Sequence, residues 1–348
     1  MSRLFLHVLA LGAALAERKA KGYGPGTQDN LAEKHPQESR HSRKDGAVVS
    51  GSIPASCQNK NLSAVGLFVE AKAVVAANYP STHVGWVADL VMTLTGAHFN
   101  YACDTQSPGG CSRNRPMEPH KRACGNDWPP YAFTMIGIHR LLSVAQMVAQ
   151  VVAEGVPGGF AELGVWRGGT CIFAAKAFEL LTPATAQPRQ IYVFDAFEKL
   201  PGYEGNSEYV ANSAESVRQN FARFGCLTEH VHFQVGLFQQ STKAWRAQHD
   251  LTTTSIAILR VDGNFYDSYS DAMYHLYDYV PVGGFVIFDD IMSHPAVMRF
   301  WLDFKNDQKL PETLTQIDMH SAYFRKVKAV QIDLSLAHPP QDVNRAQA

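Results

Sequence analysis

Hydrophobic and polar positions follow two distinct patterns along the chain from residue 62 onward. Short, nearly continuous apolar runs predict buried strands, and longer segments with apolar residues at helical spacing predict helices. The predicted strands are residues 160–165, 191–194, 231–235, 256–261 and 285–288. The predicted helices are residues 62–78, 84–94, 135–154, 170–181, 214–224 and 267–279. Apolar strands that alternate with helices indicate an α/β fold with a doubly wound, mostly parallel sheet covered on both faces.

Residues 1–16 have the pattern of a secretory signal peptide. Arg3 precedes an apolar run at residues 4–15, and the small-x-small pattern at residues 14–16 is typical of a cleavage site. The run is too short to cross a bilayer as a helix, so no stable membrane span is expected. A cleaved signal predicts the secretory pathway or secretion, and the alternative is an apolar N-terminus that the chain retains.

Residues 17–60 are rich in Lys, Arg, Gly, Ser, Gln and His and contain few large apolar side chains. Such a segment buries too little surface to offset its chain entropy, which predicts a disordered linker. A signal followed by this linker also fits two-part targeting to a plastid, and without a working signal the chain would be cytoplasmic. Asn61-Leu62-Ser63 is a glycosylation sequon, which has meaning only in the secretory pathway.

The rest of the chain divides into three predicted parts. Residues 61–130 carry two predicted helices and a Cys-, Gly- and Pro-rich loop at residues 100–128, which we interpret as a helical lid. Residues 131–330 contain the alternating strands and helices of the α/β domain, and residues 331–348 form a tail.

Charge is nearly balanced, with 31 Lys and Arg against 32 Asp and Glu. There is no strong overall field and no basic stripe interleaved with aromatic residues, which argues against a nucleic-acid partner. A small-molecule substrate is therefore the better expectation.

Six cysteines, an even number, permit disulfides in an oxidising compartment. Cys103, Cys111 and Cys124 lie in one loop-like stretch and could include a bonded pair. No Cys-x-x-Cys spacing occurs, which argues against a zinc site. Cys171 falls within a predicted apolar helix, and we interpret it as a core residue.

The first strand of the predicted sheet ends in Glu162, and Gly164, Gly168 and Gly169 follow before the next helix. Glycines at such a turn let the backbone approach a ligand, and the helix N-terminus adds a positive dipole end. The pattern is not the Gly-x-Gly-x-x-Gly dinucleotide fingerprint. Glu162 suits a cationic ligand such as S-adenosylmethionine, and Asp195, at the end of the next strand, suits ribose hydroxyls. The alternative is a tight turn without a ligand.

Three carboxylates follow the fourth and fifth predicted strands: Asp262 after one, and Asp289 with Asp290 after the other. The ends of neighbouring parallel strands would bring them together beside the cofactor. Oxygen ligands without Cys or His suit Mg²⁺, Mn²⁺ or Ca²⁺, and a cation would relieve their repulsion. The alternative is that one or two of them cap helices or pair with Arg260 or Arg299.

With these motifs the chain resembles the macrocin O-methyltransferase family, which includes sugar methyltransferases of macrolide and aminocoumarin biosynthesis. The likeness runs from about Val84 to about Lys326. The matching stretches are Asp127-Trp128-Pro129, Thr134-Met135-Ile136-Gly137, Glu162-Leu163-Gly164-Val165-Trp166-Arg167-Gly168-Gly169, Asp195-Ala196-Phe197-Glu198-Lys199-Leu200-Pro201, Leu259-Arg260-Val261-Asp262-Gly263, Gly283-Gly284-Phe285-Val286-Ile287-Phe288-Asp289-Asp290 and Tyr323-Phe324-Arg325. The resemblance implies a class I methyltransferase fold of the Rossmann-like type, S-adenosylmethionine as cofactor, Mg²⁺ or Mn²⁺, and methylation of a sugar hydroxyl.

The resemblance also implies which residues serve each ligand. The predicted cofactor contacts are Thr134, Met135, Glu162, Gly164, Val165, Trp166, Gly168, Asp195, Ala196 and Gly236. The predicted metal ligands are Asp262, Asp289 and Asp290. The family also suggests a homo-oligomer.

One position departs from the family pattern in a way that concerns catalysis. Asn264 stands where the family has an Asp that is its proposed general base, and an amide cannot take up the proton. Either the metal alone acidifies the hydroxyl, or Asp267 or His294 takes the role, or turnover is weak or lost. Ala196, where the family usually has Ser, is a smaller departure.

The expected function is methyl transfer to a hydroxyl of a sugar or polyhydroxylated small molecule. One alternative is a protein that binds cofactor and metal but turns over weakly because of Asn264. Another is a catechol-type phenol methyltransferase, since a phenol is more acidic than a sugar hydroxyl and depends less on a base.

Overall fold

The computed structural model describes residues 49–99, 101–103, 114–200 and 207–337. The predicted signal at residues 1–16, the linker up to residue 48 and the tail after residue 337 lie outside these ranges. Among the helices of the described ranges, none combines the length and hydrophobicity that a transmembrane span needs.

The described chain contains one eight-stranded sheet and one two-stranded sheet. In chain order the strands are β1 (Val49–Ser50), β2 (Tyr101–Cys103), β3 (Asn114–Pro116), β4 (Gly159–Leu163), β5 (Ile191–Asp195), β6 (Val231–Val235), β7 (Ile256–Val261), β8 (Phe285–Phe288), β9 (Leu314–Gln316) and β10 (Ala322–Arg325). The large sheet has the order β1-β9-β10-β8-β7-β4-β5-β6, and β2 pairs with β3. Strands β6, β5, β4, β7 and β8 are parallel to one another, whereas β10 is antiparallel to β8 and β9. This mostly parallel sheet confirms the predicted fold, and its carboxyl-terminal edge is where ligands bind in such folds.

Helices flank this sheet. They are α1 (Ala64–Ala76), α2 (Val84–Leu94), α3 (Pro119–Cys124), α4 (Ile138–Ala153), α5 (Gly169–Leu181), α6 (Ser207–Val210), α7 (Ala214–Arg223), α8 (Phe238–Gln248), α9 (Tyr266–Leu276) and α10 (Pro295–Asp307). The six helices predicted from apolar spacing are confirmed as α1, α2, α4, α5, α7 and α9, with small shifts at their ends. Helix α8 escaped prediction because it is largely polar and buries only Ser241, Thr242 and Trp245.

Strand β8 shows how the sheet divides the core into two hydrophobic clusters. In β8, Phe285 and Ile287 pack into the cluster that also contains α1, α2, α4 and α5. Val286 and Phe288, the residues between and after them, pack into the cluster that contains α9 and α10. The sheet is therefore covered on both faces, as the continuous apolar strands predicted.

Two sequence predictions near the N-terminus are wrong. Residues 100–128, predicted as a loop, contain β2, β3 and α3. Residues 49–60, predicted as part of a disordered linker, include β1, which pairs with β9 in the main sheet, and Cys57, which is bonded to Cys124. A strand of two residues and a crosslink to a distant cysteine leave no periodic signal in the sequence.

The Cys57–Cys124 disulfide joins the N-terminal segment to α3, with the two Cα atoms 5.7 Å apart. The sequence suggested that a pair could lie among Cys103, Cys111 and Cys124, whereas the structure joins Cys124 to Cys57, and Cys111 lies outside the described residues. A crosslink that closes a separation of 67 residues stabilises the fold by about 4 kcal/mol, chiefly by restricting the unfolded chain. Cys171 is a buried free thiol in the core, as predicted.

Candidate active site

The turn after β4 brings the end of this strand against the end of β7. Gly164 has a φ of +87°, and a Cβ on it would lie 1.9 Å from the backbone carbonyl oxygen of Asp262. Only glycine permits this approach without strain. Trp166 also has a positive φ, and Gly168, in the left-handed conformation, precedes α5. Helix α5 therefore begins at the carboxyl edge of the sheet, where a helix N-terminus favours polar ligands.

Asp195 joins three strand ends through hydrogen bonds. Its Oδ2 accepts from the backbone N–H of Val165 and its Oδ1 from that of Phe197, both at 2.9 Å. Its carbonyl oxygen accepts from the N–H of Gly236 at 3.0 Å. Burial raises the pKa of Asp195, and the backbone donors, Phe197 first among them, oppose that shift. Because each carboxylate oxygen has a further lone pair, Asp195 can hold the turn and still accept from ribose hydroxyls.

The segment before α4 closes the same edge of the sheet. The hydroxyl oxygens of Thr134 and Thr170 are 3.1 Å apart, which ties this segment to the first turn of α5. Met135 packs against the cluster of Ala132, Trp166 and Tyr209. The predicted cofactor residues that these contacts bring together are Thr134, Met135, Val165, Trp166, Asp195 and Gly236. Ala196 is buried directly after Asp195.

Tyr209 supports this group, although no sequence pattern indicated it. Its carbonyl oxygen accepts from the indole N–H of Trp166, and its hydroxyl donates to the carbonyl oxygen of Pro129, both at 2.8 Å. The ring of Trp128 packs edge-on against it at 5.3 Å. The guanidinium of Arg167 lies 4.1 Å from the ring centre of Trp166. These contacts fix the orientation of Trp166 beside the β4 turn.

Glu162 is buried at the end of β4, with 1 % of its surface exposed. Its Oε1 is paired with Arg260 Nη1, and its Oε2 accepts from Cys171 Sγ at 2.9 Å. Burial raises the pKa of Glu162 to about 7, although the charge of Arg260 opposes the shift. The cation that faces Glu162 is therefore Arg260, a partner that the strand-end argument did not anticipate.

Three carboxylates meet at the ends of β7 and β8, as predicted. Asp262, Asp289 and Asp290 each offer an oxygen within 4.8 Å of the others. Asp289 is buried, with Oδ1 2.5 Å from Arg260 Nη2 and Oδ2 paired with Arg140 Nη1. Arg260 Nη2 also lies 3.0 Å from Asp262 Oδ2, so the alternative of pairing with Arg260 is realised together with the cluster.

The arginines divide the cluster electrostatically. Burial alone would raise the pKa of Asp289, but Arg140 and Arg260 outweigh it and hold that pKa below its usual range. Burial, followed by the charge of Asp289, raises the pKa of Asp262 to about 6. Burial and then the charges of Asp262 and Asp289 raise the pKa of Asp290 well above its usual range. Asp262 and Asp290 are thus the two carboxylates whose negative charge is poorly compensated.

Arg140 is the main component that sequence reasoning missed. It lies in α4, reaches Asp289, and places its Nε 2.9 Å from Asp318 Oδ2. Its Nη2 also donates to the carbonyl oxygen of Cys124 at 3.2 Å. The connected network contains five carboxylates, namely Glu162, Asp262, Asp289, Asp290 and Asp318, against the two guanidinium groups of Arg140 and Arg260. If all ionise, two positive and five negative charges leave a formal excess of three negative charges.

A divalent cation fits this cluster. Asp290 Oδ2 is buried and has no hydrogen-bond partner among the residues that the structure describes. Ligand oxygens around an octahedral Mg²⁺ lie roughly 3 Å apart in neighbouring positions and roughly 4 Å apart in opposite ones. The ligand atoms of the cluster all lie within 4.8 Å of one another, so small side-chain movements would bring them to such an arrangement. A cation would also provide the positive charge that the two arginines leave missing.

Residues 91–326 match the sequence profile of the family described as Macrocin-O-methyltransferase (TylF). The chain belongs to this family. It is accordingly an S-adenosylmethionine-dependent O-methyltransferase, as the resemblance implied.

Similar proteins support this assignment. The chain is 34% identical over 217 residues, 59% of its own length and 79% of the relative's, to demethyldecarbamoylnovobiocin O-methyltransferase of Streptomyces niveus. It is 33% identical over 221 residues, 60% of its own length and 81% of the relative's, to 8-demethyl-8-(2,3-dimethoxy-alpha-L-rhamnosyl)-tetracenomycin-C 4'-O-methyltransferase of Streptomyces olivaceus. The solved structure of the O-methyltransferase NovP has 30% sequence identity and a TM-score of 0.58, and the match covers 70% of this chain and 98% of that one.

Asn264, the residue predicted to occupy the family's general-base position, follows Asp262 and Gly263 after the end of β7. Its φ of +58° is a left-handed conformation that Asn adopts more readily than most residues. Among the candidate substitutes, His294 contacts the cluster, with Nδ1 3.9 Å from Asp290 Oδ1. Burial lowers the pKa of His294, although Asp290 opposes the shift. Asp267 lies in the first turn of α9, and Arg299 pairs with Asp303 rather than with the cluster.

Proposed function

We propose that this O-methyltransferase acts on a hydroxyl of a sugar or polyhydroxylated small molecule and that a divalent cation, Mg²⁺ or Mn²⁺, assists it. The observation that carries the proposal is the cluster of Asp262, Asp289 and Asp290 beside the β4 turn. Gly164 would touch the backbone of Asp262 if it carried a Cβ, so the cofactor turn and the acidic cluster are adjacent. An acceptor hydroxyl near the cluster would therefore also be near the cofactor.

We assign the cofactor to the residues around Asp195. Asp195 would accept from the ribose hydroxyls, and Trp166, held by Tyr209, would form a wall of the site. The N–H groups of Gly168 and Gly169 donate to Val165 and Phe133 within the chain, so α5 would contribute the positive end of its dipole. Glu162 would act from behind, by holding Arg260 and the β4 turn in place.

We assign the cation to Asp262, Asp289 and Asp290. When bound, a divalent cation orients neighbouring hydroxyls and lowers their pKa as a Lewis acid. Arg140 and Arg260 fix both oxygens of Asp289, whereas Asp290 keeps a buried oxygen without a hydrogen bond in the described part of the chain. Asp262 and Asp290 would therefore be the stronger ligands, and Asp289 the positioned third.

The sugar class is supported by the relatives' own names. One relative is named for 4'-O-methylation of a compound that carries a rhamnosyl group. Another is named for mycinamicin III 3''-O-methylation, with 29% identity over 262 residues and 98% of its own length covered. A binding site built for vicinal hydroxyls would accept such acceptors through the same cation.

Asn264 favours a second candidate, a protein that keeps both binding sites and turns over slowly. An amide at this position cannot take the proton from the acceptor hydroxyl. The lowered pKa of His294 leaves its imidazole neutral and able to accept a proton near neutral pH. His294 is therefore our candidate substitute, and its contact with Asp290 places it at the cluster.

The test is methyl transfer from labelled S-adenosylmethionine to a panel of sugar glycosides and catechols, with Mg²⁺ or with chelator. The proposal predicts Mg²⁺-dependent transfer to a sugar hydroxyl by the unaltered chain and a lower rate in His294→Ala. The matched variant Asn264→Asp restores a carboxylate, and a positioned base contributes about 100-fold or more. Activity that emerges only in Asn264→Asp would favour the slow protein. Transfer that is confined to catechols, or is indifferent to chelator, would contradict the proposal.

A further inference from the structure

The segment between β1 and α1 carries a chemical signal that the methyl-transfer site does not use. Asn61-Leu62-Ser63 is the only Asn-x-Ser/Thr sequence in the chain, and neither Leu62 nor Ala64 is a proline. We propose that Asn61 carries an N-linked glycan, added in the lumen of the secretory pathway. The argument rests on the surface geometry of this segment and on the disulfide beside it.

The folded chain leaves room for a glycan at Asn61. Residues 58–61 form an exposed stretch that ends at Asn61, and Ser63 is also exposed. Leu62, the residue between them, is half-buried and packs against the main core. The segment is thus anchored by one side chain while the modified residue remains at the surface. A bulky, hydrophilic group there would displace nothing in the core.

The disulfide places the same segment in an oxidising environment. Cys57, four positions before Asn61, is bonded to Cys124, and both residues are buried. A structural disulfide of this kind forms and persists in secreted proteins and in the lumen, and is rare in the reducing cytosol. N-linked glycosylation occurs in one of the oxidising compartments in which such disulfides form. The apolar run at residues 4–15 is the sequence that would direct the chain there.

The surface next to Asn61 is one that a glycan would shield. Val65 and Val69, one helical turn apart on α1, are 72% and 60% exposed. Both lie in the N-terminal half of the helix that the sequon immediately precedes. Exposed apolar side chains in adjacent positions favour association unless something covers them. A sugar chain at Asn61 would cover this end of α1 with hydrophilic surface.

The sequon also fits the local structure after transfer. In the reaction, the side-chain amide nitrogen of Asn61 forms a bond to the anomeric carbon of an oligosaccharide, whose bond to a polyprenyl diphosphate carrier breaks. The diphosphate leaves with the electron pair, and the amide loses one proton. Ser63, whose hydroxyl is needed for recognition of the sequon, afterwards caps α1 by accepting from the N–H of Gly66 at 3.0 Å.

The test uses the full chain with a C-terminal tag, expressed in a eukaryotic cell with an intact secretory pathway. We expect one discrete step in gel mobility that peptide N-glycosidase removes, and conversion of Asn61 to aspartate in the released peptide by mass spectrometry. Asn61→Gln should lose the step completely while it keeps the Ser63 cap. Ser63→Thr preserves both sequon and cap and should keep the step, whereas Ser63→Ala should lose it.

The localisation of the unaltered chain decides the remaining outcomes. A chain that is protected from external protease and has an oxidised Cys57–Cys124 bond, yet carries no sugar at Asn61, would overturn the proposal. A chain found in the cytosol would overturn it as well, because the proposal includes entry into the lumen. Binding of S-adenosylmethionine by Asn61→Gln serves as the control that this variant folds.

Discussion

The two halves of the active site are built by different means. The cofactor half is held by backbone hydrogen bonds, with Val165 and Phe197 donating to Asp195 at 2.9 Å. The acidic half is held by charge, with Arg140 and Arg260 pairing with both oxygens of Asp289. A backbone frame keeps its shape when one side chain changes, whereas a buried ion network loses its balance when one charge is removed. The halves should therefore respond differently to mutation and to pH.

The largest expected effect comes from Arg260, because it pairs with Glu162 at the end of β4 as well as with Asp262 and Asp289 of the acidic cluster. Arg260→Met leaves Glu162 and Asp289 buried without this partner and should lower the free energy of unfolding by about 3–5 kcal/mol. Arg140→Met should lower it less, since Asp289 keeps Arg260 and Asp318 keeps the backbone donors at His320 and Ser321. Chemical denaturation of both variants measures the difference.

The control for this pair is an arginine at the surface. Arg299, 3.8 Å from Asp303 with 64% and 38% of the two side chains exposed, should tolerate Arg299→Met with a change below about 0.5 kcal/mol. Millimolar Mg²⁺ should recover part of the stability of Arg260→Met, because the cation replaces a lost positive charge and binds only the folded chain. Equal losses in Arg140→Met and Arg260→Met would contradict the distinction between the halves.

The next largest effect is a pH dependence that Glu162 confers. Its pKa is raised from 4.5 to about 7 in the folded chain, so the folded state holds this proton more tightly than the unfolded state. The stabilisation that this tightly held proton gives to the folded state is complete below about pH 4.5 and is lost as pH rises through about 7. The free energy of unfolding should fall across this window by an amount on the order of 3 kcal/mol. Denaturation in chelator across this window should show a steeper decline for the unaltered chain than for Glu162→Gln. Identical slopes would refute the assignment to Glu162.

A smaller effect is expected from Asp195→Asn, which changes one atom in the cofactor half. The amide keeps one acceptor oxygen but turns a donor toward Val165 or Phe197, so one backbone hydrogen bond is lost. The same change replaces a charged acceptor of the ribose hydroxyls by a neutral amide, which should weaken S-adenosylmethionine binding by about 1–2 kcal/mol, or roughly tenfold. Calorimetry on this variant should show unchanged affinity for Mg²⁺, because Asp195 is no part of the acidic cluster. A parallel loss of Mg²⁺ affinity would show that the halves are not separable.

The difference between a site built at strand ends and one held by distant side chains explains what the sequence could and could not predict. The cofactor half depends on residues at strand ends, such as Gly164 and Asp195, and strand ends can be located from apolar runs. The acidic cluster was predicted for the same reason. Arg140 was not, because it contacts Asp289 across 149 positions and reads locally as one more residue of a helix. Arg260 is the lone charged residue in the otherwise apolar strand β7. A buried charge needs an opposite charge nearby, so Arg260 indicated that buried carboxylate partners exist.

The N-terminal segment shows a second limit of prediction. Residues 49–60 have the composition of a linker, yet β1 pairs with β9 and Cys57 is bonded to Cys124. Both contacts are made to distant parts of the chain and do not depend on local propensity. Composition alone therefore underestimates order where a disulfide or a sheet edge captures a short segment.

The most direct test of the proposed metal-assisted site is a calorimetric titration of Mg²⁺ into the full chain and into Asp290→Asn, each with and without S-adenosylmethionine. Loss of a residue that only supports a metal ligand reduces affinity by about 10–100-fold. We therefore expect one site in the unaltered chain and a loss of about 100-fold or more in Asp290→Asn, with cofactor binding retained. Failure of the unaltered chain to bind Mg²⁺, or undiminished binding in Asp290→Asn, would contradict the account and leave the arginines as the only cations of the cluster.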